Sequence, residues 1–93
     1  MSANADFVPE GPFLRSLSFL EELPEAMPEP FVAIGDDGSI GIEWERDVGL
    51  LYLTFGQDGD EAYWCSPDGA EWEGSLGSSI PRLVDAMFEL MTN

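Results

Sequence analysis

Nineteen carboxylates, three guanidinium groups and one thiol are the chemically versatile side chains of this 93-residue chain, which has no His and no Lys. That inventory narrows the chemistry. Proton transfer near neutral pH most often uses His, and Schiff-base nucleophiles need Lys. Cys65 has no cationic neighbour in sequence to stabilise a thiolate and stands beside Trp64 in a strand-like segment, which predicts a structural thiol rather than a nucleophile. Paired carboxylates could hydrolyse a glycosidic bond. Such chemistry needs a cleft around the sugar, and a chain this short offers little room for one. A metal is the next candidate, since Asp58, Asp60 and Glu61 crowd one turn. An EF-hand loop counted from Asp58 would put Ala62 and Tyr63 where an acidic ligand and a glycine are required. Asp36 and Asp37 lack later ligands, and no glycine-rich phosphate loop occurs. The expectation is a protein without cofactor, metal site or enzymatic activity.

What remains is where the acids lie. The formal charge is −16, about twice what solubility asks of a small domain. Residues 36–74 hold eleven acids against Arg46 alone, a net of −10, while residues 1–35 carry −5 and residues 75–93 only −1. A field of this sign repels nucleic acid and anionic membranes, so neither is expected as a direct ligand. It attracts basic protein surfaces and speeds their encounter. Acidity serving solubility alone, as in haloadapted proteins, is the plainer alternative.

The spacing of the acids depends on the elements that carry them. Pro12 opens a segment with helical periodicity in which Phe13, Leu17 and Leu20 share a face, with Phe19 and Leu23 beside it; a helix is predicted over 13–23, stopped by Pro24. Residues 1–12 are expected to fray. Three prolines between Pro24 and Pro30 make an extended connector. The period then changes to two: Ile40, Ile42 and Trp44 alternate with Glu43 and Glu45, and Leu51, Leu53 and Phe55 form the next inward set. Asp-Gly at 37–38, 58–59 and 68–69 supplies hairpin turns. A four- to five-stranded antiparallel meander is predicted over 31–76. Ile80, Leu83, Val84, Met87, Phe88 and Met91 then recur at helical spacing, so 79–92 is predicted as an amphipathic helix laid on one face of the sheet, with Ser78 or Ser79 as its cap. The fold class is α+β, one domain over 1–93.

On such a sheet Glu43 with Glu45, and Glu71 with Glu73, form rows of like charge opposite the core, about 6.6 Å apart along each strand. The turn acids Asp47, Asp58, Asp60 and Asp68 extend the rows at the sheet ends, and Glu61 opens the strand that follows the third turn. These nine acids are the candidate partner-binding residues. A groove of Lys and Arg shaped for a nucleic-acid backbone would accept such rows.

The combination of small size, acidity, one antiparallel sheet with flanking helices and carboxylate rows resembles the nucleic-acid mimics made by phages and mobile elements. These include acidic anti-CRISPR proteins and inhibitors of uracil-DNA glycosylase and restriction enzymes. The run from Pro28-Glu29-Pro30 through Asp37-Gly38-Ser39-Ile40 to Glu43-Trp44 is also similar to one in small bacterial proteins of no assigned function. The first resemblance implies an inhibitor that mimics DNA and blocks the nucleic-acid-binding surface of a host defence complex, in its most specific form a type I Cascade complex. An immunity protein or antitoxin that neutralises one basic toxin is the alternative, with a more apolar contact around Tyr52 or Tyr63. A single cysteine excludes an internal disulfide and suits a reducing compartment. No signal peptide or membrane span is legible. The expected location is the cytoplasm of a bacterial host cell.

Overall fold

The computed structural model describes residues 10–92. A helix, α1 (Glu10–Glu21), is followed by five strands and a second helix. The strands are β1 (Phe31–Ile34), β2 (Ile40–Arg46), β3 (Gly49–Phe55), β4 (Asp60–Cys65) and β5 (Glu71–Ser75). A short 3₁₀ turn at Gly77–Ser79 leads into α2 (Ile80–Met91). The strands lie in the sheet in chain order, each antiparallel to the next. This is the α+β meander expected from the alternation.

The period of two sorts every strand into a core side and an open side. Ile40, Ile42 and Trp44 of β2 stand in register with Phe55, Leu53 and Leu51 of β3. The last two continue to Ala62 and Trp64 of β4, and Trp64 to Trp72 of β5. These residues form the core together with Leu83, Ala86 and Leu90 of α2. Each fully buried large apolar side chain contributes roughly 1.5–3 kcal/mol relative to exposure, and Trp44, Phe55, Ile42, Leu51, Leu53 and Leu90 are the largest of that kind. Trp44 keeps its polar end satisfied by donating from Nε1 to the Pro28 carbonyl at 2.8 Å, which ties the proline connector to the sheet. Gly49 lies where a Cβ would come within 2.5 Å of the Trp64 ring, so no larger residue fits without moving the core.

Both helices cover the core side, but not with the faces their periodicity suggests. Helix α1 covers residues 10–21 rather than 13–23: residues 10–12, expected to fray, belong to it, and residues 1–9 lie outside the described residues. Pro12 sits in the first turn, where a missing N–H costs nothing. Phe13 and Leu17, expected on the core face, are 43% and 41% exposed. The cause is Phe19, whose ring lies between Trp44 and Phe55 with centroids at 6.4 and 5.8 Å. That contact sets the rotation of α1 and turns Phe13 and Leu17 to its flank. In α2 the buried stripe is Leu83, Ala86 and Leu90, whereas Ile80, Val84 and Phe88 are exposed. The small Ala86 lets the helix lie close to the sheet, and two helices cannot cover a wider arc. Ser79 occupies the N-cap position of α2 without a side-chain capping bond, and the Ser78 hydroxyl donates back to the Ser75 carbonyl instead.

Candidate functional site

The open side of the sheet collects the acids of the strands. Cross-strand register places Phe31, Glu43, Tyr52, Tyr63 and Glu73 in one row across all five strands. Glu45, Leu50, Cys65 and Glu71 make the adjacent row, and Ala33, Gly41, Thr54, Glu61 and Ser75 the row on the other side. Glu43 and Glu45 on β2 and Glu71 and Glu73 on β5 are therefore the corners of a frame. Its short sides run along the strands for about 6.6 Å, and its long sides cross three strand intervals, about 14 Å. Tyr52, Tyr63, Leu50 and Cys65 fill it. None of the three arginines belongs to this face: Arg46 alternates to the side of Trp44, and Arg15 and Arg82 lie on the helices.

The interior of the frame is ordered by specific contacts. The Tyr63 hydroxyl donates to Glu71 Oε2 at 2.8 Å. Its pKa is raised well above the ordinary 10.0, first because ionisation would break the bond to Glu71, then because of its bond to Cys65 and partial desolvation. Tyr52 lies over Gly41, where a Cβ would meet its hydroxyl oxygen at 2.6 Å. The missing side chain is what lets the ring fold down, an aromatic cover for a strand glycine. A shallow groove of 250 Å³ runs over the same face past Tyr52, Thr54, Glu61, Tyr63, Glu73 and Ser75.

The nine candidate acids do not all share this face. Glu43, Glu45, Glu61, Glu71 and Glu73 do. Asp47, in the β2–β3 turn, and Asp68, in the β4–β5 turn, lie at the end of the sheet nearest Glu45 and Glu71. Asp68 also holds its own turn, accepting from the Ser66 hydroxyl and from the Ala70 N–H. Those donors keep its carboxyl below the ordinary value of 3.8. Asp37 does the same for the β1–β2 turn through Ser39. Asp58 is exposed in the β3–β4 turn at the far end. Asp60 is the exception: its register partner is Phe55, so it faces the core side. There Arg15 of α1 grips it with Nε at 2.8 Å and Nη2 at 2.9 Å, the latter also donating to the Gly56 carbonyl at 2.6 Å. Nothing in the sequence pairs these residues, which are 45 positions apart.

A larger groove of 580 Å³ opens on the helix side, where Trp64, Trp72 and Val48 meet Arg82, Asp85 and Glu89 of α2. Asp68 also lines it, so Arg82 stands there among three carboxylates, fewer than the five on the open face. Among the described residues no three carboxylate or thiol groups converge on a point that could hold a metal ion, and no helix is long and apolar enough to cross a membrane. Compared with protein-family models, curated proteins and solved structures, the chain gives no match.

Proposed function

We propose that this chain is an acidic inhibitory binding protein rather than an enzyme, and that its open sheet face takes the place of DNA on the nucleic-acid-binding surface of a basic partner. In its most specific form the reading is an anti-CRISPR protein acting on a type I Cascade complex in the bacterial cytoplasm. One observation carries it: four carboxylates stand at the corners of a frame about 14 Å across, and among the described residues no arginine alternates to their side of the sheet. Two paired columns of negative charge at that separation are comparable to the two backbones that flank a major groove about 12 Å wide. The tyrosines between the columns supply flat surface for protein contact without adding charge.

The test is displacement of labelled DNA from candidate nucleic-acid-binding complexes, Cascade among them. Glu43→Lys with Glu45→Lys should weaken displacement about tenfold or more, the effect of losing close charge pairs. Asp85→Lys with Glu89→Lys, on α2, should leave it within about threefold, because rim charges outside a contact act only through the screened field. Equal losses from the two pairs would remove the open face from the account.

The neutralisation of a single basic toxin is a second reading, and the exposed Tyr52 at the centre of the frame favours it. A toxin partner would be lost through Tyr52→Ala more than through Glu43→Gln and would respond weakly to salt.

A further inference from the structure

Strand β1 is the least protected element of the sheet. Among the described residues it pairs with β2 on one side only, and all four of its residues are exposed. Val32 and Ile34 are in register with Ile42 and Ile40 and so belong to the core side. The helices nevertheless leave them uncovered, at 46% and 64% exposure, and Phe31 on the open side is 70% exposed. Natural edge strands are usually blunted by Lys, Pro or a bulge. Phe31-Val32-Ala33-Ile34 has none of these, and its register with β2 runs without interruption. An edge of this kind is a template on which another strand can be added.

Charge selects the strand. Glu29 precedes β1, and Asp36 and Asp37 follow it. A second copy pairing antiparallel about a twofold axis would set Glu29 of each chain near Asp36 and Asp37 of the other, and like charges across strands are destabilising. A segment with apolar side chains at alternate positions and Lys or Arg at both ends meets opposite charges in the same places. The edge is also continuous with the carboxylate frame, since Phe31 stands beside Glu43. We propose that β1 is the docking edge for an extended, basic-flanked segment of the protein partner, which adds to the sheet as a sixth strand beside the acidic face. This rests on the partner being basic, as in the reading above.

The test uses the full chain and two synthetic peptides of one composition. The first alternates valine with threonine between a pair of lysines at each end, and the second scrambles that order. The alternating peptide should bind about tenfold more tightly, roughly 1.4 kcal/mol, and should slow hydrogen exchange within residues 31–34. Ile34→Glu, and separately Val32→Glu, should abolish that preference, although the added charge would strengthen any purely ionic contact. Both sites are exposed, so an unchanged melting temperature confirms that the fold is intact. Equal affinity for the two peptides, or a preference that survives both substitutions, overturns the proposal. So does a dimer in sedimentation that Ile34→Glu converts to monomer, because the occupant is then a second copy. Unchanged DNA displacement in Glu43→Gln with Glu45→Gln, while the peptide preference persists, removes the sheet-face reading and leaves the edge standing. The converse result removes the edge alone.

Discussion

Tyr63 is a neutral group bonded to a corner of the frame, and that bond can be followed by titration. Its hydroxyl stays protonated far above the usual phenol range because Glu71 accepts its proton and would repel its anion. Glu71→Gln removes the repulsion and the charged acceptor together, so the Tyr63 pKa should fall back toward 10.0. The phenolate absorbance in the ultraviolet reads this directly, with Tyr52→Phe used to separate the two tyrosines. An unchanged titration would mean that Tyr63 and Glu71 do not meet in solution. The consequence for the frame is geometric, since the bond holds the Glu71 carboxylate toward the middle of the sheet.

At the scale of elements, strands and helices differed in how much of them could be foreseen. Ile40, Ile42 and Trp44 admit only one inward face, because a shift of one residue would bury Glu43 and Glu45. The strand acids followed from the same rule, and four of the nine candidates fell at the corners of the frame for that reason. A helix is less constrained, because neighbouring apolar residues leave its rotation open by a large part of a turn. In α2 the apolar positions span a wide arc, and the sheet accepts only the part centred on Ala86. Leu90→Ala should therefore cost about 2–5 kcal/mol in urea unfolding, the range for emptying a buried leucine site. Phe88→Ala, at a position 62% exposed, should stay within about 0.5 kcal/mol. Similar costs for the two would restore the wider stripe. The grip of Arg15 on Asp60 was invisible for another reason: it depends on where α1 lies over the sheet, and local spacing carries no information about that.

For the whole molecule, the net charge sets the response to salt and acid. Like charges oppose the compact state, so added salt at neutral pH should raise the melting temperature by several degrees, the response to about 1 kcal/mol in a chain of this size. Partial protonation on the way from pH 7 to about 5 should act in the same direction. Below the ordinary carboxyl value of 3.8 the sign reverses. Asp37 and Asp68 have folded pKa values beneath their unfolded ones, so their contribution is complete above that pH and disappears as pH falls through the folded values. A steady loss of stability from pH 7 downward, with no effect of salt, would contradict this balance. The strand order has a consequence of a different kind. Because β1 to β5 follow the chain, each strand can pair with the one synthesised just before it, and contacts this local favour rapid folding. Helix α2 follows the sheet, however, and until it arrives the part of the tryptophan-bearing side that Leu83, Ala86 and Leu90 will cover is open to the cell. Through that interval the nascent sheet already carries most of the protein's negative charge, which opposes the close approach of two open cores.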